Sequence, residues 1–196
     1  MRHGRSDGYP VDDGGVVSLN ENFKCATCGK IHQKLPRSFA ADFPDMYANM
    51  KREEKDVRAI IGSDQCVVDQ QWFFIRGCLE IPVVDSTEPF IWGLWASVRE
   101  HVFDEISESW EEEGRESIRG PFKGRLANSL SLYAETLNVK VRIVIQALAT
   151  RPLFVVEQPE HPLAIEQQNG ISQERARETA SLLLHQERFG WPVEFT

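Results

Sequence analysis

The run Cys25-Ala26-Thr27-Cys28-Gly29-Lys30-Ile31-His32 has the residue types and the spacing to do chemistry. Two residues between the cysteines let one tight turn aim both sulfurs at a single ion. Backbone N–H groups around such a turn stabilise the thiolates. Gly29 follows the second cysteine, where the chain must turn back with a positive φ that a side chain resists. His32 lies four residues beyond Cys28 and can reach back as a third ligand. Soft thiolates and an imidazole in a tetrahedral set select zinc. Reduced unmetallated thiols and a redox-active dithiol are the other readings, but a thioredoxin-like pair needs a helix to start where Gly29 and Lys30 stand.

A closed zinc site needs a fourth ligand, and no second Cys-x-x-Cys follows. Cys66, Cys78 and His161 are candidates. Cys78 falls mid-strand, where a cysteine behaves as a small apolar residue. Cys66 begins a strand, with its side chain free to turn toward a knuckle, and is the expected fourth ligand.

Other polar residues invite a functional reading. Arg76 and Glu80 share a strand face with Cys78, Trp72 and Phe74; Arg76 reads either as half of a structural ion pair, with Asp69, Glu80 or a neighbouring strand, or as an anion clamp. Trp92 and Trp95 fall on opposite faces of one strand, so one is expected in the core and the other is a candidate anchor for a partner. His161 precedes Pro162 in an extended turn, and with Glu166 it could form an acid–base pair. Those two residues near Arg76 would make a small hydrolase. No nucleophile elbow, phosphate loop, dinucleotide fingerprint or His-Glu-x-x-His is present.

These residues must be positioned by a folded domain. With 41% hydrophobic and 27% charged residues in 196, the chain can bury a core without disulfides. Residues 1–20 read as a flexible tail and residues 21–196 as a single domain with its knuckle at 23–32. The absence of an apolar leader or spanning segment points to the cytoplasm, where thiols stay reduced. The net charge of −8 disfavours membrane and nucleic acid, and the basic run Arg115, Arg119, Lys123 and Arg125 is offset by Glu111, Glu112 and Glu113. The same charge would steer the chain toward a basic protein partner. The expected activity is therefore non-enzymatic: a protein-binding, adaptor or immunity-type inhibitor module.

Periodicity supplies the elements. A helix is expected over about 45–61. Strands are expected at 66–69, 72–84, 90–98, 122–128, 138–149 and 153–156. A helix is expected over about 99–113, and a last one starts at the N-cap Ser172. Gly77 signals a bulge or a close backbone approach. Clustered strands with helices around them predict an α+β fold with a mainly antiparallel sheet. Phe73, Ile75, Leu79 and Ile81 should share a core with Val102, Phe103, Ile106 and Trp110, leaving Arg76 and Glu80 on the more polar face.

Several stretches together resemble the bacterial domain of unknown function 2199 family. They are Phe23-Lys24-Cys25-x-x-Cys28-Gly29-x-x-His32-x-x-Leu35-Pro36, Asp64-x-Cys66-Val67-Val68-Asp69, Phe73-Phe74-Ile75-Arg76-Gly77, Leu79-Glu80-Ile81-Pro82-Val83, Trp92-Gly93-Leu94-Trp95 and His161-Pro162-Leu163-Ala164-Ile165-Glu166-Gln167. The resemblance spans nearly the whole chain from Phe23. It implies a cysteine at the place of Cys66, which adds weight to Cys66 as fourth ligand, and it implies no activity. The chain departs from the family pattern at Phe122-Lys123-Gly124-Arg125-Leu126.

Overall fold

The computed structural model describes residues 22–118, 120 and 122–185. The expected tail at 1–20 and Arg119 of the basic run lie outside them. At the centre stand the two longest strands, Trp72–Ile81 (β6) and Phe90–Val98 (β7), paired antiparallel from Phe73↔Val98 to Ile81↔Phe90. Lys123–Leu126 (β8), Lys140–Val144 (β9) and Leu153–Val156 (β10) follow, each antiparallel to its predecessor. β10 then returns to β6 through Leu153↔Cys78, and the Cys78 N–H donates to Pro152 O at 2.8 Å. Five strands that alternate in direction cannot close antiparallel throughout, so this seam is parallel. The result is a small closed ring of strands filled by side chains. Ile75, Leu79, Ile81, Phe90, Trp92, Leu94, Val141, Ile143 and Phe154 make the interior.

Gly77 makes the seam possible. A Cβ at this position would lie 2.5 Å from the Phe154 ring and 2.7 Å from Pro152 O. The unbroken register of β6 rules out a bulge there, so the glycine serves close approach.

The remaining strands extend the ring. Ser38–Ala40 (β3) runs parallel to β7 along Ile91–Gly93. Gln65–Val68 (β5) pairs with the start of β6, and Ala59–Ile61 (β4) pairs with β5. With the short helices Asp45–Ala48 (α1) and Arg52–Arg58 (α2), they cover part of the outer face of the ring and form a second core of Ala41, Cys66, Val68, Phe74, Trp95 and Ala127. The helix Glu100–Glu108 (α3) sets Val102 and Ile106 into the main core and packs Phe103 at a tilt against Phe73, ring centroids 5.3 Å apart. Pro162–Asn169 (α4) and Gln173–Leu183 (α5) end the described fold. It is α+β, with a mixed, mostly antiparallel eight-stranded sheet. A separate hairpin pairs Phe23–Lys24 (β1) with Ile31–His32 (β2).

Some expected boundaries move. The helix expected over 45–61 breaks at Asn49, and its end becomes β4. Val57 and Ile60 are 84% and 77% exposed, so the supposed apolar stripe is not one, while β-branched Ile60 and Ile61 fit a strand. α3 stops at Glu108 because Ser107 and Ser109 bond back to carbonyls of their own helix and the chain turns at Ser109–Gly114. The face of β6 expected to be polar is divided: Phe74 feeds the second core, while Trp72 and Glu80 are exposed.

Candidate metal centre

The β1–β2 hairpin turns tightly around the cysteines. Gly29 N donates to Cys25 O at 2.9 Å and Cys25 N to Lys30 O at 2.9 Å, with Gly29 at φ 70° as expected. This brings Cys25, Cys28 and His32 together. The fourth group comes from the far end of the chain: His185, just past α5. The ligand atoms of Cys25, Cys28, His32 and His185 all lie within 4.8 Å of one another. Cys25 Sγ is 3.2 Å from His185 Nε2, and Cys28 Sγ is 3.5 Å from His32 Nε2. Zinc–sulfur and zinc–nitrogen bonds of about 2.3 and 2.0 Å at tetrahedral angles separate S and N by about 3.5 Å. The group has the donors and the spacing to hold a metal ion.

Hairpin and helix also bond directly. Ser181 Oγ accepts from Ala26 N at 3.2 Å, and Ser181 O accepts from the Thr27 hydroxyl at 2.9 Å. Ser181 and His185, one helical turn apart, present one face of the chain to the knuckle. Burial would raise the Cys25 thiol, but the backbone N–H groups of Cys28 and Thr27, together with Ser181, outweigh it and bring it down to about 6. A thiol so placed is readily a thiolate, the form that binds metal.

Cys66 is not part of this group. It points into the second core, 1% exposed, where burial pushes its thiol up to about 11. Its register places it opposite Phe74 on β6, and that side of β5 is committed to packing. His185 escaped the sequence reading because its partners lie 160 residues away. The available signal was the spacing of Ser181 and His185 along the last helical pattern.

The other candidate residues are placed elsewhere. His161 is the N-cap of α4: its Nδ1 accepts from Leu163 N at 3.1 Å, so Nε2 carries the proton, facing Ala134 O at 2.9 Å. Glu166 accepts from the Tyr133 hydroxyl and from Arg175 Nε, the latter at 3.0 Å. Burial, then this bond to Glu166, hold the Tyr133 phenol well above its ordinary range. Of the expected partners of Arg76, neither Asp69 nor Glu80 pairs with it. Asp69 is held by both ends of the Arg58 guanidinium, at 2.8 and 2.7 Å, and Glu80 is exposed. Arg76 instead donates to Ser63 O at 3.3 Å and lies 5.8 Å from the Trp95 ring. Trp92 and Trp95 are both fully buried, Trp95 donating to Ala41 O at 3.1 Å, so neither is a surface anchor. A second core on the outer side of β7 is what buries Trp95.

A family model described as uncharacterized protein conserved in bacteria (DUF2199) matches residues 24–171. The chain belongs to this family. The matched span holds Cys25, Cys28 and His32 and ends before α5, so His185 lies beyond it. No curated protein and no solved structure matches the chain. No helix among the described residues is long and apolar enough to cross a membrane.

Proposed function

We propose that this DUF2199 protein is a zinc-stabilised, non-enzymatic binding module of the reducing cytoplasm, an adaptor or immunity-type inhibitor for a basic protein. The observation that carries the reading is the ligand set. Cys25, Cys28, His32 and His185 supply four protein donors, and four donors leave a tetrahedral zinc no open position for water or substrate. Zinc in such a site holds chain segments together and does no chemistry. The residues that would run a hydrolase are otherwise committed, His161 to a helix cap and Glu166 to Tyr133 and Arg175.

The surface best suited to a basic partner is α3 with the turn after it. Glu100, Asp104, Glu105, Glu108, Glu111 and Glu112 are exposed there, and they concentrate the negative charge of the chain. Such a field speeds encounter with a basic protein and weakens with salt. The test is capture from the native bacterium with zinc-loaded protein, compared with a Glu105→Lys/Glu108→Lys variant. A basic protein retained at low salt, released by added salt and lost with the variant supports the reading. Hydrolytic turnover abolished by His161→Ala would replace it with the enzyme.

A further inference from the structure

We propose that the outer face of β8 and β9, with the groove running to Trp72, binds single-stranded nucleic acid. β8 and β9 alternate strictly: Leu126, Val141 and Ile143 enter the core, while Lys123, Arg125, Lys140 and Arg142 face out and are exposed. The register sets like against like, Lys123 opposite Arg142 and Arg125 opposite Lys140. Like charges directly across an antiparallel pair destabilise it, and exposed strand positions accept many other residues. Two such pairs side by side are therefore a cost that an anionic ligand would relieve. Only part of it is relieved internally: Lys123 Nζ is 4.0 Å from Glu157, and Arg125 donates to Asn138 O at 3.1 Å.

The array opens into a groove of about 410 Å³ lined by Trp72, Ser97, Arg99, Lys123, Arg125 and Lys140 among others, with Glu157 its one carboxylate. Trp72 is 47% exposed there, unlike the buried Trp92 and Trp95. Alternate residues on a strand are about 6.7 Å apart, comparable to successive phosphates of an extended nucleic acid strand. The cations would follow the phosphates while the indole offers a face for a base to stack on, the pairing that single-strand binders use. An acidic peptide would satisfy the cations but leave the indole without a planar partner. The net charge of −8 is an average over the chain, whereas the groove itself holds the four cations Arg99, Lys123, Arg125 and Lys140 against one carboxylate.

The experiment is fluorescence anisotropy of labelled 12-nucleotide oligo-U and oligo-dT with the full zinc-loaded chain. Four phosphate contacts predict a logarithmic salt slope of about −3, so affinity should fall about 50-fold between 50 and 200 mM salt. Lys123→Glu/Arg125→Glu should weaken binding at least about 10-fold and make the slope shallower by about 1.5. Trp72→Ala should weaken it by about 10-fold and remove the quenching of tryptophan fluorescence by the oligonucleotide. If the Glu variant unfolds, Lys140→Gln/Arg142→Gln reads the other two cations of the array with no new charge. The proposal is overturned if no saturable binding is seen at 50 mM salt, or if the cation variants bind as wild type. It also fails if an acidic peptide of equal charge binds as tightly and Trp72→Ala is silent.

Discussion

Replacing His185 with alanine separates a site that binds metal from a site that joins the ends of the domain. Cys25, Cys28 and His32 remain in the variant, with a water free to complete the tetrahedron, so zinc should still bind, more weakly. What disappears is the bridge between the β1–β2 hairpin and α5. Cys25 and His185 are 160 residues apart. Closing a loop of that length in the unfolded chain is worth about 5 kcal/mol by the chain-entropy argument used for disulfides. This is an upper bound, because detachment of α5 alone releases the bridge without opening the strand ring. For a domain of this size it corresponds to a melting point lower by at most about 10–20 °C.

The assay is thermal or urea unfolding of wild type and His185→Ala, each with and without a chelator, beside zinc content by elemental analysis. Wild type should hold about one zinc per chain and lose stability on chelation. The variant should start near the chelated wild type and change little further. Cys66→Ala is the control: it should keep its zinc and its response to chelation while losing about 1–2 kcal/mol from the second core. The reasoning is refuted if Cys66→Ala loses the metal while His185→Ala retains the full chelator response, or if wild type purified without chelators holds less than about 0.2 zinc per chain.

Further outcomes follow from single contacts. Gly77→Ala should destabilise by about 1–3 kcal/mol, since its methyl would meet the Phe154 ring and Pro152 O; unfolding by urea checks it. Burial alone would raise Asp64, but the Ser63 hydroxyl and the Arg151 guanidinium, 2.5 Å away, outweigh it and hold the carboxyl below its ordinary value. The sign follows: the pair's contribution is fully present above about pH 4 and is lost as pH falls through the lowered value, so Arg151→Gln should flatten the acid limb of the stability curve. In native chelated protein at pH 8, thiol reagents should modify the exposed Cys28 quickly and leave Cys66, buried and with its thiol pushed up to about 11, unmodified, readable by mass spectrometry. His161→Ala should cost about 1 kcal/mol, the usual worth of a helix cap, measured by thermal unfolding.

The sequence was most legible where one local pattern settles the outcome. Residues 72–81 alternate and pair as expected with 90–98, and Phe73 and Phe103 meet across the strand–helix contact. The knuckle's turn and three of the four grouped donors are written in eight consecutive residues. What was hidden depends on distant partners. Trp95 lies outside the strand ring, and nothing in its neighbourhood says that β3, α1, α2, β4 and β5 will cover it. Cys66 is on that same covered side, so its strand position, which looked free, is a packing position. Lys123 and Arg142 lie 19 residues apart, and their confrontation exists only once β8 and β9 are in register.

The composition of α5 explains why a domain with a large core would use a metal at all. Its buried positions are Ala176, Thr179, Ala180 and Ser181, while Leu182 is 43% exposed. Burial stabilises in proportion to apolar area, and such small side chains bring little of it. The strand ring needs no help, since its interior is filled by leucine, isoleucine, phenylalanine and tryptophan. The hairpin is no better placed: β1 and β2 are two residues each, Phe23 is its buried apolar residue, and a lone hairpin is marginal in water. Two weak elements from opposite ends of the chain thus meet at Cys25, Ser181 and His185. A metal there would stabilise both through bonds that apolar packing at these positions does not supply. That is where a structural ion would act, since burial is poorest there, and it accounts for a fourth donor just past α5 in the group while Cys66 stays in a core that is already packed.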